Sequence, residues 1–221
     1  MSADAWLRAE LVICDVDGTL VDSNYQHVLA WIEGFAASGQ HPPAWRIHRH
    51  VGMGGDQLIE AVAGPEVEAG DGDRIRETRE QVYAERYLPS VRPFDDAIGF
   101  LRRLRAERRR IVLASSAKEH ELERYRDLLD ADSLTDGATS AADVDRTKPA
   151  PDLLRAAMDL GGGGPAVMVG DSVWDCAAAE PLGIPVIGVL AGGFGEDEFR
   201  AAGAVAVVPS LDAVPALEPL G

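Results

Sequence analysis

The run Asp15-Val16-Asp17-Gly18-Thr19-Leu20-Val21-Asp22 follows directly on the apolar segment Leu11-Val12-Ile13-Cys14. Carboxylates carried by a buried strand into a Gly-Thr turn are costly to desolvate, so a pair such as Asp15 and Asp17 calls for a metal, a hydrogen-bond network or a reaction to justify it. A lone Asp-x-Asp often does no more than cap a turn. Here other polar groups occupy comparable places. Ser115 ends Ile111-Val112-Leu113-Ala114, Lys148 stands in Thr147-Lys148-Pro149-Ala150-Pro151-Asp152, and Asp171 ends Ala166-Val167-Met168-Val169-Gly170, with Asp175 one helical turn further on. Singly, Ser115 or Ser116 could cap a helix, Lys148 could be a solvated loop lysine, and Asp171 or Ser172 could complement a helix dipole. Together they are the parts of a site that handles an anion: hydroxyl donors, an offsetting ammonium, and carboxylates able to hold a hard cation.

The elements that must position these groups are legible as alternation. β-rich apolar runs at Leu11 to Cys14, Ile111 to Ala114, Val167 to Val169, Val186 to Val189 and Val205 to Val208 are separated by helical patterns from Asp95 to Glu107, Glu119 to Leu129, Pro151 to Leu160 and Val173 to Leu182. This predicts an α/β fold with a Rossmann-like parallel sheet core flanked by helices, in which sites lie at the carboxyl ends of strands. From Ser23 to Ser90 the alternation stops. That stretch reads as helices near Tyr25 to Ala37, Gln57 to Ala63 and Asp73 to Tyr87, a helical cap inserted after the first strand and closed by the two prolines of Leu88-Pro89-Ser90-Val91-Arg92-Pro93. The expected division is a core of residues 1–22 and 91–221 and a cap of residues 23–90. Gly161 to Gly164 reads as a helix-to-strand loop.

On the four motifs Asp15-Val16-Asp17-Gly18-Thr19, Ser115, Lys148-Pro149 and Gly170-Asp171-Ser172-Val173-Trp174-Asp175, the chain resembles the haloacid dehalogenase superfamily, specifically its members with a helical cap, such as phosphoglycolate phosphatases and β-phosphoglucomutases. The resemblance implies Asp15 as a nucleophile forming an aspartyl-phosphate and Asp17 as the group that protonates the leaving alkoxide and then deprotonates water. It implies Mg²⁺ on Asp15, the backbone carbonyl of Asp17, and Asp171. Ser115, Ser116 and Lys148 are expected to bind phosphate, with Thr19 and Asp175 supporting the metal and lysine from behind.

Asp17 also narrows the chemistry, because dehalogenases and phosphonate hydrolases of this kind lack a carboxylate two residues after the nucleophile. Phosphoryl transfer to water from a small phosphorylated metabolite is the leading expectation, and a sugar-phosphate mutase is the alternative. His27 occurs in both. A mutase-like pattern places a lysine before the cap glycine, whereas this chain has Arg49-His50-Val51-Gly52. His27, Arg49 and Gly52 are the expected substrate contacts of the cap. A phospho-Asp signalling module, which shares a parallel sheet with an Asp cluster, is less well matched, since it lacks both cap and acid-base Asp.

Composition sets the limits. Lys and Arg total 21 against 37 Asp and Glu, a net charge of −16, which argues against nucleic acid or an anionic membrane as partner. No apolar segment is long enough to span a bilayer, and Met1-Ser2-Ala3-Asp4 lacks the start of a signal peptide, so a cytoplasmic location is expected. Oligomeric state is not readable. Cys14 and Cys176 read as buried thiols, and neither begins a Cys-x5-Arg phosphate loop, because Leu20 and Leu182 stand where that loop needs arginine.

Overall fold

The computed structural model describes residues 5–217, so Met1-Ser2-Ala3-Asp4 lies outside the described residues. The strands are β1 (Leu11–Cys14), β2 (Val21–Asp22), β3 (Arg92–Pro93), β4 (Arg110–Ala114), β5 (Gly137–Thr139), β6 (Ala166–Gly170), β7 (Val186–Val189) and β8 (Ala206–Val208). Six of them form one sheet in the order β5-β4-β1-β6-β7-β8, every neighbouring pair parallel. β2 and β3 form a separate antiparallel pair, Val21 opposite Pro93 and Asp22 opposite Arg92.

Because successive strand residues face opposite sides, β1 feeds two cores at once. Val12 and Cys14 pack with Phe100, Leu104, Leu122 and Tyr125. Leu11 and Ile13 pack with Leu153, Leu154, Met168 and Phe199. The helices that supply these layers are introduced here with those of the insert: α1 (Asn24–Ala37), α2 (Ala44–His48), α3 (Gly55–Ala63) and α4 (Pro65–Val82) lie between β2 and β3, followed by α5 (Ala97–Ala106), α6 (Glu119–Leu129), α7 (Ala131–Leu134), α8 (Asp152–Leu160), α9 (Val173–Ala179) and α10 (Glu196–Ala201). Helices α1 to α4 bury their own cluster of Val28, Trp31, Phe35, Ile47, Leu58, Ile59 and Ile75. None of the helices among the described residues is long and apolar enough to cross a membrane.

The structure departs from expectation where apolar patterning is weak. Helix α4 starts at Pro65, well before Asp73, because Pro65 suits the first helical turn, while Gly70 and Gly72 hide the continuation behind it. It runs into a π-helical turn at Tyr83–Tyr87. Helix α2 and strand β5 were not anticipated; five and three residues carry too little periodicity to register. Cys14 and Cys176 are buried free thiols, and burial pushes Cys176 up to about 12.

Ile13 sits wholly buried in the central strand. Ile13→Ala is expected to lower unfolding stability by about 2–5 kcal/mol, measured by urea denaturation; a loss below about 1 kcal/mol would contradict the packing described.

Candidate active site

Three adjacent strands end at one edge of the sheet. β1 delivers Asp15 and Asp17, β4 delivers Ser115 and β6 delivers Asp171, so the order β4-β1-β6 brings residues far apart in sequence together. Lys148 enters from the connection between β5 and α8. Its Nζ donates to Asp15 Oδ1 and lies 2.8 Å from Asp175 Oδ1. Asp175 in turn accepts at Oδ2 from the Ser172 amide at 3.1 Å and the Ser172 hydroxyl at 2.8 Å, the cap of α9.

Thr19 Oγ1 lies 2.9 Å from Asp15 Oδ2 and 3.1 Å from Asp171 Oδ1, and Asn24 Nδ2 donates to Asp171 Oδ2 at 2.8 Å. A hydroxyl has one hydrogen, so Thr19 can serve only one of these two carboxylates at a time. Both carboxyls are correspondingly held toward their neutral forms. Burial, reinforced by Asp175 and Asp17 and opposed by Lys148, pushes Asp15 up to about 6. Burial, with Asp15 and Asp175, raises Asp171 well above the carboxylate range. Burial alone would lower Lys148, but Asp15 and Asp175 hold its ammonium charged.

Oxygens of Asp15, Asp171 and Asp175 lie within 4.8 Å of one another. Room beside them is preserved: Gly18 has φ +79° and a Cβ there would fall 2.2 Å from Asp171 Oδ2, while one on Gly192 would fall 1.8 Å from the same atom. All-oxygen donors, crowded negative charge and glycine-cleared space fit a hard divalent cation.

Asp17 is turned the other way. Its Oδ1 accepts from Ser23 Oγ at 2.7 Å and meets His27 Nε2 at 2.7 Å, and its Oδ2 accepts from Ser115 Oγ at 3.2 Å. Burial opposes ionisation, yet His27 together with hydrogen bonds from His27, Ser23 and Tyr125 holds Asp17 well below the usual carboxylate range. The tautomer of His27 is set from behind, because Arg79, which can only donate, approaches His27 Nδ1 at 2.6 Å. Nδ1 therefore accepts and Nε2–H donates to Asp17. The other end of Arg79 donates to Glu121 Oε1 at 2.5 Å, where Glu121 is fully buried on α6. A chain Asp17–His27–Arg79–Glu121 thus runs from the core into the helical insert and back.

Among the expected cap contacts, His27 and Gly52 line a cavity of about 430 Å³ between insert and core, together with Asp15, Asp17 and Ser116. The Ser116 hydroxyl is buried without a hydrogen-bond partner among the described residues. Arg49 does not reach this cavity. Its guanidinium pairs with Glu198 and lies 3.9 Å over the Phe194 ring, and its carbonyl accepts from Trp174 Nε1 at 3.1 Å, so it docks the insert on α9 and α10. His48 adds a bond to the Gly192 carbonyl at 3.0 Å. A second seam was not anticipated: the Gly54 amide donates to the Lys148 carbonyl at 3.3 Å, Gln57 Nε2 donates to the Thr147 carbonyl at 2.6 Å, and Asp56 accepts from the Thr147 amide at 3.2 Å. Ser23, Asn24, Arg79 and Glu121 were likewise invisible in sequence, where Arg79 and Glu121 look like ordinary helix-surface charges.

Two of the insert–core ion pairs, Arg79–Glu121 and Arg49–Glu198, differ in burial and should differ in weight. Arg79→Met leaves Glu121 buried and unpaired and is expected to cost about 3–5 kcal/mol, whereas Arg49→Ala breaks a partly exposed pair and should cost no more than about 1 kcal/mol. Urea denaturation of both variants checks the ordering, and equal losses would contradict it.

The haloacid dehalogenase-like hydrolase family matches residues 9–183. The Cupriavidus necator protein named "phosphoglycolate phosphatase, plasmid" is 31% identical over 96% of this chain and 94% of its own length. Among solved structures, a hydrolase from Pseudomonas syringae superposes with a TM-score of 0.84 at 29% identity, covering 92% of this chain and 94% of that one. A putative β-phosphoglucomutase from Bacteroides vulgatus has a TM-score of 0.82 at 20% identity over 93% of this chain and 85% of its own, a likeness of fold. With its family match spanning most of the sequence and its strand-end carboxylates gathered at one sheet edge, the chain belongs to the haloacid dehalogenase-like hydrolases.

Proposed function

We propose that the chain is a Mg²⁺-dependent phosphomonoester hydrolase acting on a small phosphorylated metabolite through an aspartyl-phosphate on Asp15, with residues 23–90 serving as a cap over a core of residues 1–22 and 91–221. The observation that carries this reading is the separation of two carboxylates from one turn. Lys148 donates to Asp15 Oδ1 and Thr19 lies between Asp15 and Asp171, while Asp17 faces Ser23, His27 and Ser115. The phosphatase name of the Cupriavidus necator relative supports the same reaction class.

Mg²⁺ held by Asp15, Asp171 and the Asp17 carbonyl would supply the positive charge that keeps Asp15 ionised and offsets the phosphate. A carboxylate oxygen of Asp15 attacks phosphorus while the bond from phosphorus to the leaving oxygen breaks, and Asp17 gives that oxygen a proton. A nearby phosphate dianion opposes ionisation of Asp17 and so favours its loading with that proton. Water then attacks phosphorus, Asp17 takes the proton, and the bond to Asp15 breaks to release inorganic phosphate. Lys148, Ser115 and Ser116 offset or donate to the phosphoryl oxygens throughout.

Hydrolysis of p-nitrophenyl phosphate with Mg²⁺ tests the reading. Asp15→Asn should reduce turnover at least about a thousandfold, and retained activity would remove Asp15 as nucleophile. Asp17→Asn should cost about 10²–10⁴-fold in kcat.

The metal reading has a separate thermodynamic test. An acid whose pKa is raised on folding stabilises the fold below its unfolded value and loses that contribution as pH rises through the folded value. For Asp15 this loss falls between pH 3.8 and about 6. Metal-free protein should therefore lose stability across that window, Mg²⁺ should raise Tm at pH 7.5, and Asp171→Asn should abolish that rise. A Tm indifferent to Mg²⁺ in the parent protein would count against the site.

A further inference from the structure

Resting on the phosphatase reading, we infer that the cavity selects phosphate esters of uncharged, hydroxyl-bearing alcohols and rejects those whose leaving group carries a carboxylate. The argument turns on which charges around the cavity are already matched. Beyond Asp15 and Asp17 the lining contains three cations, Arg76, Arg79 and Lys118, against five carboxylates. Arg76 NH1 lies 2.8 and 2.9 Å from the two oxygens of Glu68, and its NH2 lies 2.8 Å from Asp73. Arg79 is held between Glu121 and His27. Lys118 Nζ lies 3.8 Å from Glu80. Lys148, deeper in, is shared by Asp15 and Asp175. Arg76 and Arg79 are thus taken up by carboxylates, which leaves, among the described lining residues, only the exposed Lys118 in its loose contact with Glu80 to meet a second anion on the substrate.

Two lining carboxylates are in the opposite position. Asp56 accepts only from the amide and hydroxyl of Thr147, and Asp145 has no cationic partner among the described residues. Both are exposed to solvent, and they leave the cavity lining with more carboxylates than cations and an excess of acceptors. The remaining wall is apolar, formed by Trp31, Val51, Met53 and Ala117. Acceptors facing an indole-lined wall suit a polyol, whose hydroxyls donate and whose C–H face packs. Glycolate, the leaving group in the name of the Cupriavidus necator relative, carries a carboxylate and would find repulsion there.

Matched ester pairs test this: glycerol 3-phosphate against 3-phosphoglycerate, and 2-hydroxyethyl phosphate against phosphoglycolate. Each pair exchanges a CH₂OH for a carboxylate and changes little else. With Mg²⁺ at low salt, kcat/KM should favour the uncharged member at least tenfold. The ratio should shrink at high salt, where exposed charges are screened, and should fall several-fold in Asp145→Lys. An equal or reversed ratio, or a ratio untouched by Asp145→Lys, overturns the inference while leaving the phosphatase intact. So does turnover of p-nitrophenyl phosphate without turnover of either uncharged ester. Failure to hydrolyse p-nitrophenyl phosphate at all overturns the underlying activity instead.

Discussion

Two buried carboxylates, Asp15 and Asp175, share one ammonium at the centre of this protein, and a third, Asp171, is buried beside them. Lys148 can balance one unit of charge among Asp15, Asp171 and Asp175, and Thr19 can lend one hydrogen to either Asp15 or Asp171. The excess must be met by protons or by a cation, since burying unbalanced charge costs several kcal/mol per ion. The sheet order follows from the same demand. The neighbouring strands β1 and β6 bring Asp15 and Asp171 together, and Gly18 and Gly192 leave space beside Asp171 that a side chain would fill.

The second constraint is that Asp15 and Asp17, separated by a single residue, must behave differently. The chain leaves the strand here for the turn through Gly18, φ +79°, and the two side chains part, Asp15 toward Lys148 and Asp17 toward His27. Two chemical environments are thereby built from one turn and identical side chains.

Much of this was legible because it is local or periodic. The apolar runs announce every strand of the main sheet except β5, and the motifs put Asp15, Asp17, Ser115 and Asp171 at strand ends, Asp175 a helical turn further on and Lys148 in a connecting loop. What could not be read is non-local and lacks a pattern. Arg79 and Glu121 lie 42 positions apart on helices whose sequences are simply charged, and their pairing depends on how α4 settles against α6. Arg49 illustrates the converse. Its place just before Gly52 in the helical insert suggests a substrate contact, but Phe194 and Glu198, unremarkable in sequence, claim its guanidinium.

The placement of the insert explains why its position matters to chemistry. It leaves the core at β2, a few residues beyond Asp17, so the first turns of α1 present Ser23 and His27 to Asp17 and Asn24 to Asp171. On the far side, α3 and the residues before it bond to the backbone of Thr147 and Lys148, the segment that aims the ammonium. A displacement of the helical layer would therefore strip donors from Asp17 and Asp171 while loosening the lysine. Losing those donors favours protonation of Asp17. The insert is thus not a passive cover: seated on the core, it supplies the hydrogen bonds that favour the Asp17 carboxylate.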